Sequence, residues 1–520
     1  MQIVDNKLIV VRTRRPHLVT EAITKSKVIG RLPDGLHDVA VYFGLKEVQA
    51  LTNLKIKGVP STINRDYNWP GQYKPFAHQK ETAAFLTLRK RAFCFNEQGT
   101  GKTAAVIWAA DYLMKLGAIR RVLIICPLSI MKSAWQQDLF KFAVHRRVDV
   151  AYGSASKRKE IIKAGAEYVV INFDGVQICK AEIINGGFDL IVVDEASAYK
   201  NAQTDRWKTL RDVMKHVKGL WMLTGTPAAQ SPVDAYGLAK LVNPDGVPPF
   251  YGQFRDQVMY PVTQYRWVPK PAAQSIVHRV LQPAIRFEKR QCLDLPEVTF
   301  ADRDAPMTPQ QIKYYKKLKT DMLMEAAGEE ISAVNAAVKL NKLLQIACGS
   351  VYTDTGEVVD FDASNRLRAV TEVIDESSNK VLVFVPFTHT IKQIHDYLGK
   401  QSITSDVING EVPVHKRTEI VKRFQEQADP KVLIIQPQAA SHGLTLTAAD
   451  TVVWYAPVTS VETYLQANAR IDRPGQKNAM TVVHIKGSPI EARLYALLRD
   501  NISNHAKIVE LYKQEMSEGT

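Results

Sequence analysis

The sequence predicts an α/β chain of two tandem parallel-sheet lobes, with helical insertions between them and a small N-terminal accessory domain. Three observations carry this reading: two sets of short apolar runs, helical spacing after most runs, and an interval of different composition between the sets. The first set lies at 92–95, 122–126, 168–171, 190–193 and 220–223. The second lies at 381–385, 406–408, 432–435, 451–455 and 481–485. A strand covered by helices on both faces needs apolar side chains on both, so it reads as a continuous run, as in parallel sheets. Between the sets, residues 244–300 are rich in proline and aromatics, including Pro248-Pro249-Phe250-Tyr251 and Trp267-Val268-Pro269, and read as connecting structure with short helices. Residues 308–348 read as helical, with Thr308 as N-cap and Pro309 in the first turn. Alternation at Ile3/Val4 and over 8–11 suggests a few strands at the start. The domains expected are 1–72, an accessory module; 73–290, the first lobe with the start of a linker; and 291–520, the second lobe with a helical protrusion near 308–348.

At 520 residues the chain exceeds a single domain of about 150 residues. Its 68 Lys+Arg against 53 Asp+Glu give a net charge of +15, which favours a polyanionic partner, nucleic acid ahead of an anionic membrane. The five cysteines, Cys94, Cys126, Cys179, Cys292 and Cys348, lack metal-ligand spacing. A zinc site or disulfide framework is not expected, and a reducing cytoplasm is. No run approaches the ~18 apolar residues of a membrane span, and residues 1–15 lack the apolar core of a signal peptide.

Asn96-Glu97-Gln98-Gly99-Thr100-Gly101-Lys102-Thr103 follows the run at 92–95 and precedes an apolar helical pattern over 104–113. Glycines there let backbone N–H groups approach phosphate oxygens, and the helix N-terminus adds its dipole and free donors. Lys102 would reach the β- and γ-phosphates of ATP, and the Thr103 hydroxyl would ligate Mg²⁺. The strict loop pattern wants glycine at 96, where this chain has Asn96. A plain glycine turn is the alternative.

Asp194-Glu195-Ala196-Ser197 ends the run at 190–193. Ligands of an open α/β sheet bind beyond the carboxyl ends of its strands, so both motifs point to one crevice. Asp194 would hold Mg²⁺ and Glu195 would orient and deprotonate the attacking water. An acidic pair at a solvated strand end is the bland alternative. Leu223-Thr224-Gly225-Thr226-Pro227 ends the next run, either as a sensor of nucleotide state or as a simple strand-to-helix turn.

Phosphate loop, Asp-Glu box and Thr-Gly-Thr-Pro, in this order, resemble a superfamily 2 helicase-type motor with RecA-like lobes. More narrowly, residues from about 73 to 490 are similar to the Swi/Snf-type family of DNA-translocating ATPases. Cys126-Pro127-Leu128-Ser129 with Trp135 resembles that family's Pro-Leu-Ser…Trp segment, and Tyr199-Lys200-Asn201 its Lys-Asn tail. The resemblance implies that Gln79 reads the adenine edge and that Glu97 to Thr103, including Gln98, Gly99, Thr100 and Gly101, cradle the nucleotide. It implies that Gln466…Arg470-x-x-Arg473-x-Gly475-Gln476 is the last motif, whose arginines stabilise charge gathering on the γ-phosphate. Spaced three apart, Arg470 and Arg473 would project from one helix face. Gly443 and Thr445 resemble the motif that grips a nucleic-acid strand. With Ser129, Lys132, Trp135 and Thr226 they would touch the backbone of double-stranded or branched DNA, giving little sequence specificity and steep salt dependence. The 156 residues from Thr224 to Lys380 leave room for the protrusion.

Three departures stand out. Ser197 replaces the family's usual histidine, Ala440-Ser441-His442-Gly443 replaces a glycine-rich run, and Ala456-Pro457-Val458 stands where Trp-Asn-Pro is usual. They suggest a compact member, similar to the single-motor proteins of some bacteriophages, acting as a monomer in a bacterial cytoplasm. The expected activity is ATP hydrolysis driving movement along duplex DNA, with remodelling of DNA or displacement of bound proteins. A related helicase that unwinds or anneals branched DNA and a non-catalytic DNA-binding scaffold are the alternatives. A restriction-nuclease motor would need a nuclease motif, and none is recognised.

Overall fold

A computed structural model describes residues 1–71, 73–225, 227–228, 231–262, 267–292, 295–326, 333–352, 357–440, 444–473 and 475–500. The chain forms two compact units. One comprises Met1–Pro227, Val233–Val258 and Pro271–Cys292, the other Ala228–Pro232, Met259–Lys270 and Leu293–Thr520.

The first unit holds a seven-stranded sheet in the order Ala284–Ile285, Arg91–Cys94, Gly219–Leu223, Leu190–Asp194, Val122–Cys126, Tyr168–Asn172, Val148–Val150. Every neighbouring pair is parallel. The five apolar runs expected here are its five inner strands, and the two short edge strands are additional. The second unit holds a six-stranded, wholly parallel sheet ordered Val298–Asp304, Met480–Lys486, Ala449–Trp454, Lys380–Phe384, Val432–Ile435, Ser405–Ile408. Lys380–Phe384 shows why such strands read as unbroken runs. Val381 and Val383 enter one core and Leu382 and Phe384 the opposite one, all fully buried. Each such side chain contributes about 1.5–3 kcal/mol by leaving water. These are the two tandem RecA-like parallel-sheet lobes.

The helical stretch resolves into Pro309–Ala326 and Ala333–Cys348. Thr308 caps the first: its N–H donates to Gln311 Oε1 at 2.9 Å and its Oγ1 accepts from Gln311 N–H at 3.4 Å. Gln311 Nε2 also donates to the carbonyls of Ile346 and Ala347 at 2.8 and 3.1 Å, fastening the end of the second helix to the start of the first. No helix among the described residues is long and apolar enough to cross a membrane.

Ahead of the first parallel sheet stands a four-stranded antiparallel one, ordered Gln2–Val4, Leu8–Thr13, His37–Tyr42, Ser26–Arg31. Ile9, Val11, Val39 and Val41 line its inner face, packed with Val19 of helix Pro16–Ala22 and with Val48 and Leu51 of helix Leu45–Asn53. It joins the rest of its unit through Tyr67 O–H to Asp111 Oδ2 at 2.6 Å, Tyr112 O–H to Thr62 Oγ1 at 2.6 Å, and Trp108 Nε1–H to the Pro70 carbonyl at 2.8 Å.

Candidate nucleotide site

Strand register brings the first unit's motifs to one edge. Leu223 lies opposite both Cys94 and Asp194, so the segments leaving three adjacent strands start at one level. The loop after Arg91–Cys94 turns on Gly99 and Gly101, at φ +84° and +74°, a region that glycine enters without steric cost. A Cβ on Gly101 would also overlap Gln79 Nε2. Lys102 opens helix Lys102–Lys115, with Thr103 second, and its Nζ donates to the carbonyls of Asn96 at 2.8 Å and Glu97 at 3.2 Å. An ammonium with three donors thus spends two on its own loop.

Neighbouring groups hold the loop. Gln79 Nε2 donates to the Thr100 carbonyl at 3.2 Å, and His78 Nε2 lies 2.8 Å from the same oxygen. Sequence reasoning passed over His78, which is buried between Phe76 and Phe287. Asn96 explains its own departure from the glycine pattern: its Nδ2 donates to Thr82 Oγ1 at 2.8 Å and its Oδ1 accepts from Phe287 N–H at 3.0 Å. Glu97 Oε2 accepts from Lys289 N–H at 2.9 Å. Residues 287–289, read in the sequence as plain linker, therefore brace the phosphate loop. No motif signalled this, because two of the contacts use backbone N–H groups.

The acidic pair faces that loop. Glu195 Oε1 accepts from Gln98 Nε2 at 3.1 Å, and Gly225 lies against the same glutamine. Glu195 adopts φ +54°, a left-handed conformation costing a non-glycine residue about 1–2 kcal/mol. Asp194 Oδ1 accepts from Glu195 N–H at 3.0 Å, and Oδ2 accepts from Trp135 Nε1–H at 2.9 Å. Burial pushes the Asp194 carboxyl above its ordinary pKa, against the downward pull of Lys102 and of the Trp135 and Glu195 N–H groups.

This geometry corrects one assignment. Trp135, expected at the nucleic-acid backbone, is 0% exposed and spends its indole N–H on Asp194. It sits in a wide-pitched turn, Met131–Gln136, of the kind that often marks functional positions. Lys132 of the same turn is exposed, its ammonium 5.5 Å from the Tyr152 ring centroid, and Ser129 precedes the turn, partly exposed. Thr226 and Gly443 lie outside the described residues. In the N-terminal module, Arg65 and Trp69 serve the fold. Arg65 bonds Asp66 and the carbonyls of Asn6 and Phe43, and Trp69 packs edge-on against Tyr67 and Trp108.

In the second unit, helix Val461–Asn468 starts on Ser460 Oγ, which accepts from Thr463 N–H at 3.2 Å. It ends before the arginine pair, so Arg470 and Arg473 do not share a helix face; they lie in the turns beyond it. Arg470 is 4% exposed, with Nε donating to the Gln466 carbonyl at 2.9 Å. Arg473 Nη1 donates to the Leu444 carbonyl at 2.8 Å and to Thr445 Oγ1 at 2.7 Å. The arginine turn and the segment proposed to grip a strand are thus directly bonded. Gln476, closing the motif, anchors the turn by donating to the Ala449 carbonyl at 2.8 Å.

The family model for the SNF2-related domain matches residues 78–350, more than half of the chain, and that for the helicase conserved C-terminal domain matches residues 365–475. The chain belongs to the SNF2-related family. Among its relatives, an uncharacterized ATP-dependent helicase of Mycoplasma genitalium is 27% identical, covering 75% of this SNF2 chain and 37% of its own. The chromodomain-helicase-DNA-binding protein 1-like of Mus musculus is 26% identical, covering 75% and 45%. A Caenorhabditis elegans homologue of the SWI/SNF-related matrix-associated actin-dependent regulator of chromatin subfamily A-like protein 1 is 24% identical, covering 85% and 62%. The SNF2 chain therefore spans less than two thirds of the length of these relatives. The SWI2/SNF2 ATPase core of Sulfolobus solfataricus aligns over 83% of this chain and 92% of its own, at 21% identity and a TM-score of 0.41, too low to support an argument. Family membership implies ATP use.

Proposed function

We propose that this chain hydrolyses ATP on stimulation by DNA and uses the cycle to move along a duplex, remodelling it or displacing bound proteins. The observation that carries the reading is the meeting of Gln79, the Gly99–Gly101 turn, Lys102, Asp194 and Glu195 at one edge of one parallel sheet. The +15 charge and the DNA-binding and helicase names of the relatives support DNA as the polymer.

In this mechanism Lys102 leaves its loop carbonyls for the β- and γ-phosphates, and Gln79 positions the adenine while keeping Thr100 in place. The residues present fit Mg²⁺: an Asp194 carboxylate held by two N–H donors, and the Thr103 hydroxyl in the helix's first turn. That ion, when bound, neutralises charge developing on the phosphate oxygens. Glu195, already set in a strained conformation beside Gln98, orients the attacking water and takes its proton. Arg470 and Arg473 meet the γ-phosphate charge in the closed state, so phosphate release frees Arg473 to return to Thr445. Ser129, Lys132, Thr226, Gly443 and Thr445 hold the DNA backbone, and the bond between Arg473 and Thr445 couples grip to hydrolysis. Residues 1–72, 73–290 and 291–520 are taken as accessory module, first lobe and second lobe.

The test is the ATP hydrolysis rate with no polymer, single-stranded DNA, duplex DNA and RNA. The reading requires strong stimulation by duplex DNA; stimulation by RNA alone would overturn it.

A further inference from the structure

Among the described residues, the antiparallel sheet at the N-terminus is covered on one side only. Its inner rows carry the buried core, but the outer face is open. There, two cross-strand rows run Val4–Leu8–Tyr42 and Gln2–Val10–Ala40–Lys27. Leu8 is 39% and Tyr42 43% exposed, while Val4, Val10 and Ala40 are partly exposed, giving one continuous apolar strip with an aromatic ring in it. Cations rim the strip. Lys25 Nζ stands 4.7 Å from the Tyr42 ring centroid, Lys27 closes one row, and Arg12 lies in the adjoining row, paired with Asp38 at 2.9 Å. Residues 1–71 hold 11 Lys+Arg against 6 Asp+Glu, so about a seventh of the chain carries a third of its net charge.

We infer that this outer face binds single-stranded DNA, as a site separate from the motor. Charge selects a polyanion, and the apolar strip selects among polyanions. A duplex keeps its base faces stacked inside and offers such a strip nothing to cover. A single strand offers bases that stack on Tyr42 and lie along Leu8 and Val10, while its phosphates draw Lys25 off the ring and engage Lys27. Base stacking of this kind tolerates any sequence, in keeping with backbone-directed binding elsewhere. The chain would then hold a single-stranded arm while its motor holds duplex, a preference for branched substrates.

The test is the binding of a labelled oligothymidylate and of a blunt duplex to the full-length chain without ATP. Tyr42→Ala is expected to weaken oligothymidylate binding roughly ten-fold and to leave duplex binding unchanged. Lys27→Glu, an exposed change on the edge strand that disturbs no packing, should weaken it several-fold and flatten its salt dependence. Oligothymidylate affinity unmoved by both variants overturns the proposal, as does an equal loss of duplex affinity. A change in self-association without a change in oligothymidylate binding also overturns it, assigning the face to a second copy. Because binding is read without ATP, failure of the hydrolysis reading leaves this test intact. Basal ATP hydrolysis should be the same in both variants as in the parent chain.

Discussion

The phosphate loop and the arginine turn are positioned by different means. Loop, acidic pair and Thr224-Gly225 leave neighbouring strands whose register is fixed by ladder hydrogen bonds, and their side chains interlock through Gln79, Asn96 and Gln98. Arg470 and Arg473 lie past a helix end, where their side chains donate to carbonyls and one hydroxyl of nearby turns. The first arrangement cannot shift without disturbing a sheet. The second is held by side-chain bonds to turns, each about 1.5–3 kcal/mol for a charged donor, and not by a strand ladder. The first set of groups is tied to a sheet and the second to turns, a difference that the proposed cycle of closing and release would use.

The sharpest way to break that contrast is at the arginine turn. If Arg473 acts on transition-state charge as proposed, Arg473→Ala should lower the catalytic rate by about 10³ to 10⁵ while ATP still binds. Turnover and nucleotide affinity measured together separate the two effects; a variant that binds poorly but turns over normally would place Arg473 among the groups that only hold ATP. On the fixed side, Glu195→Gln should cost about 10² to 10⁴ in rate, the range for loss of a positioned base, again with binding kept. Trp135→Phe keeps the ring but removes the donor to Asp194. It should cut DNA-stimulated hydrolysis roughly ten-fold and raise the Mg²⁺ needed for half-maximal rate, with basal folding unchanged by circular dichroism. The smallest effect is structural. Asn96→Gly restores the usual loop pattern but deletes the bonds to Thr82 and Phe287, so thermal unfolding should occur lower by about 1–2 kcal/mol of stability.

The ten apolar runs were legible because strands buried on both faces carry few polar residues. In the two parallel sheets the strands that escaped notice, Ala284–Ile285, Val148–Val150 and Val298–Asp304, are all edges. Val298–Asp304 carries Asp302, Arg303 and Asp304, the composition that protects an exposed edge from further pairing. Within the candidate site, the meeting of Lys102, Asp194 and Glu195 at one sheet edge was legible because each motif directly follows a strand of that sheet. Trp135 was misplaced because a tryptophan in a turn beside Lys132 reads equally well as a stacking platform or as a buried donor, and only the strand beside it decides. The end of helix Val461–Asn468 was missed because Arg-x-x-Arg fits a helical face, and nothing in the sequence revealed that Leu446 N–H would claim the Arg470 carbonyl.

The central claim, that both lobes act on one triphosphate, is tested most directly by a double-variant cycle on the hydrolysis rate. Groups that act as a unit are strongly non-additive, since losing either disables the same step. The account predicts that Glu195→Gln with Arg473→Ala is about as slow as the slower single variant. Losses that multiply, each residue acting as though the other were irrelevant, would contradict it.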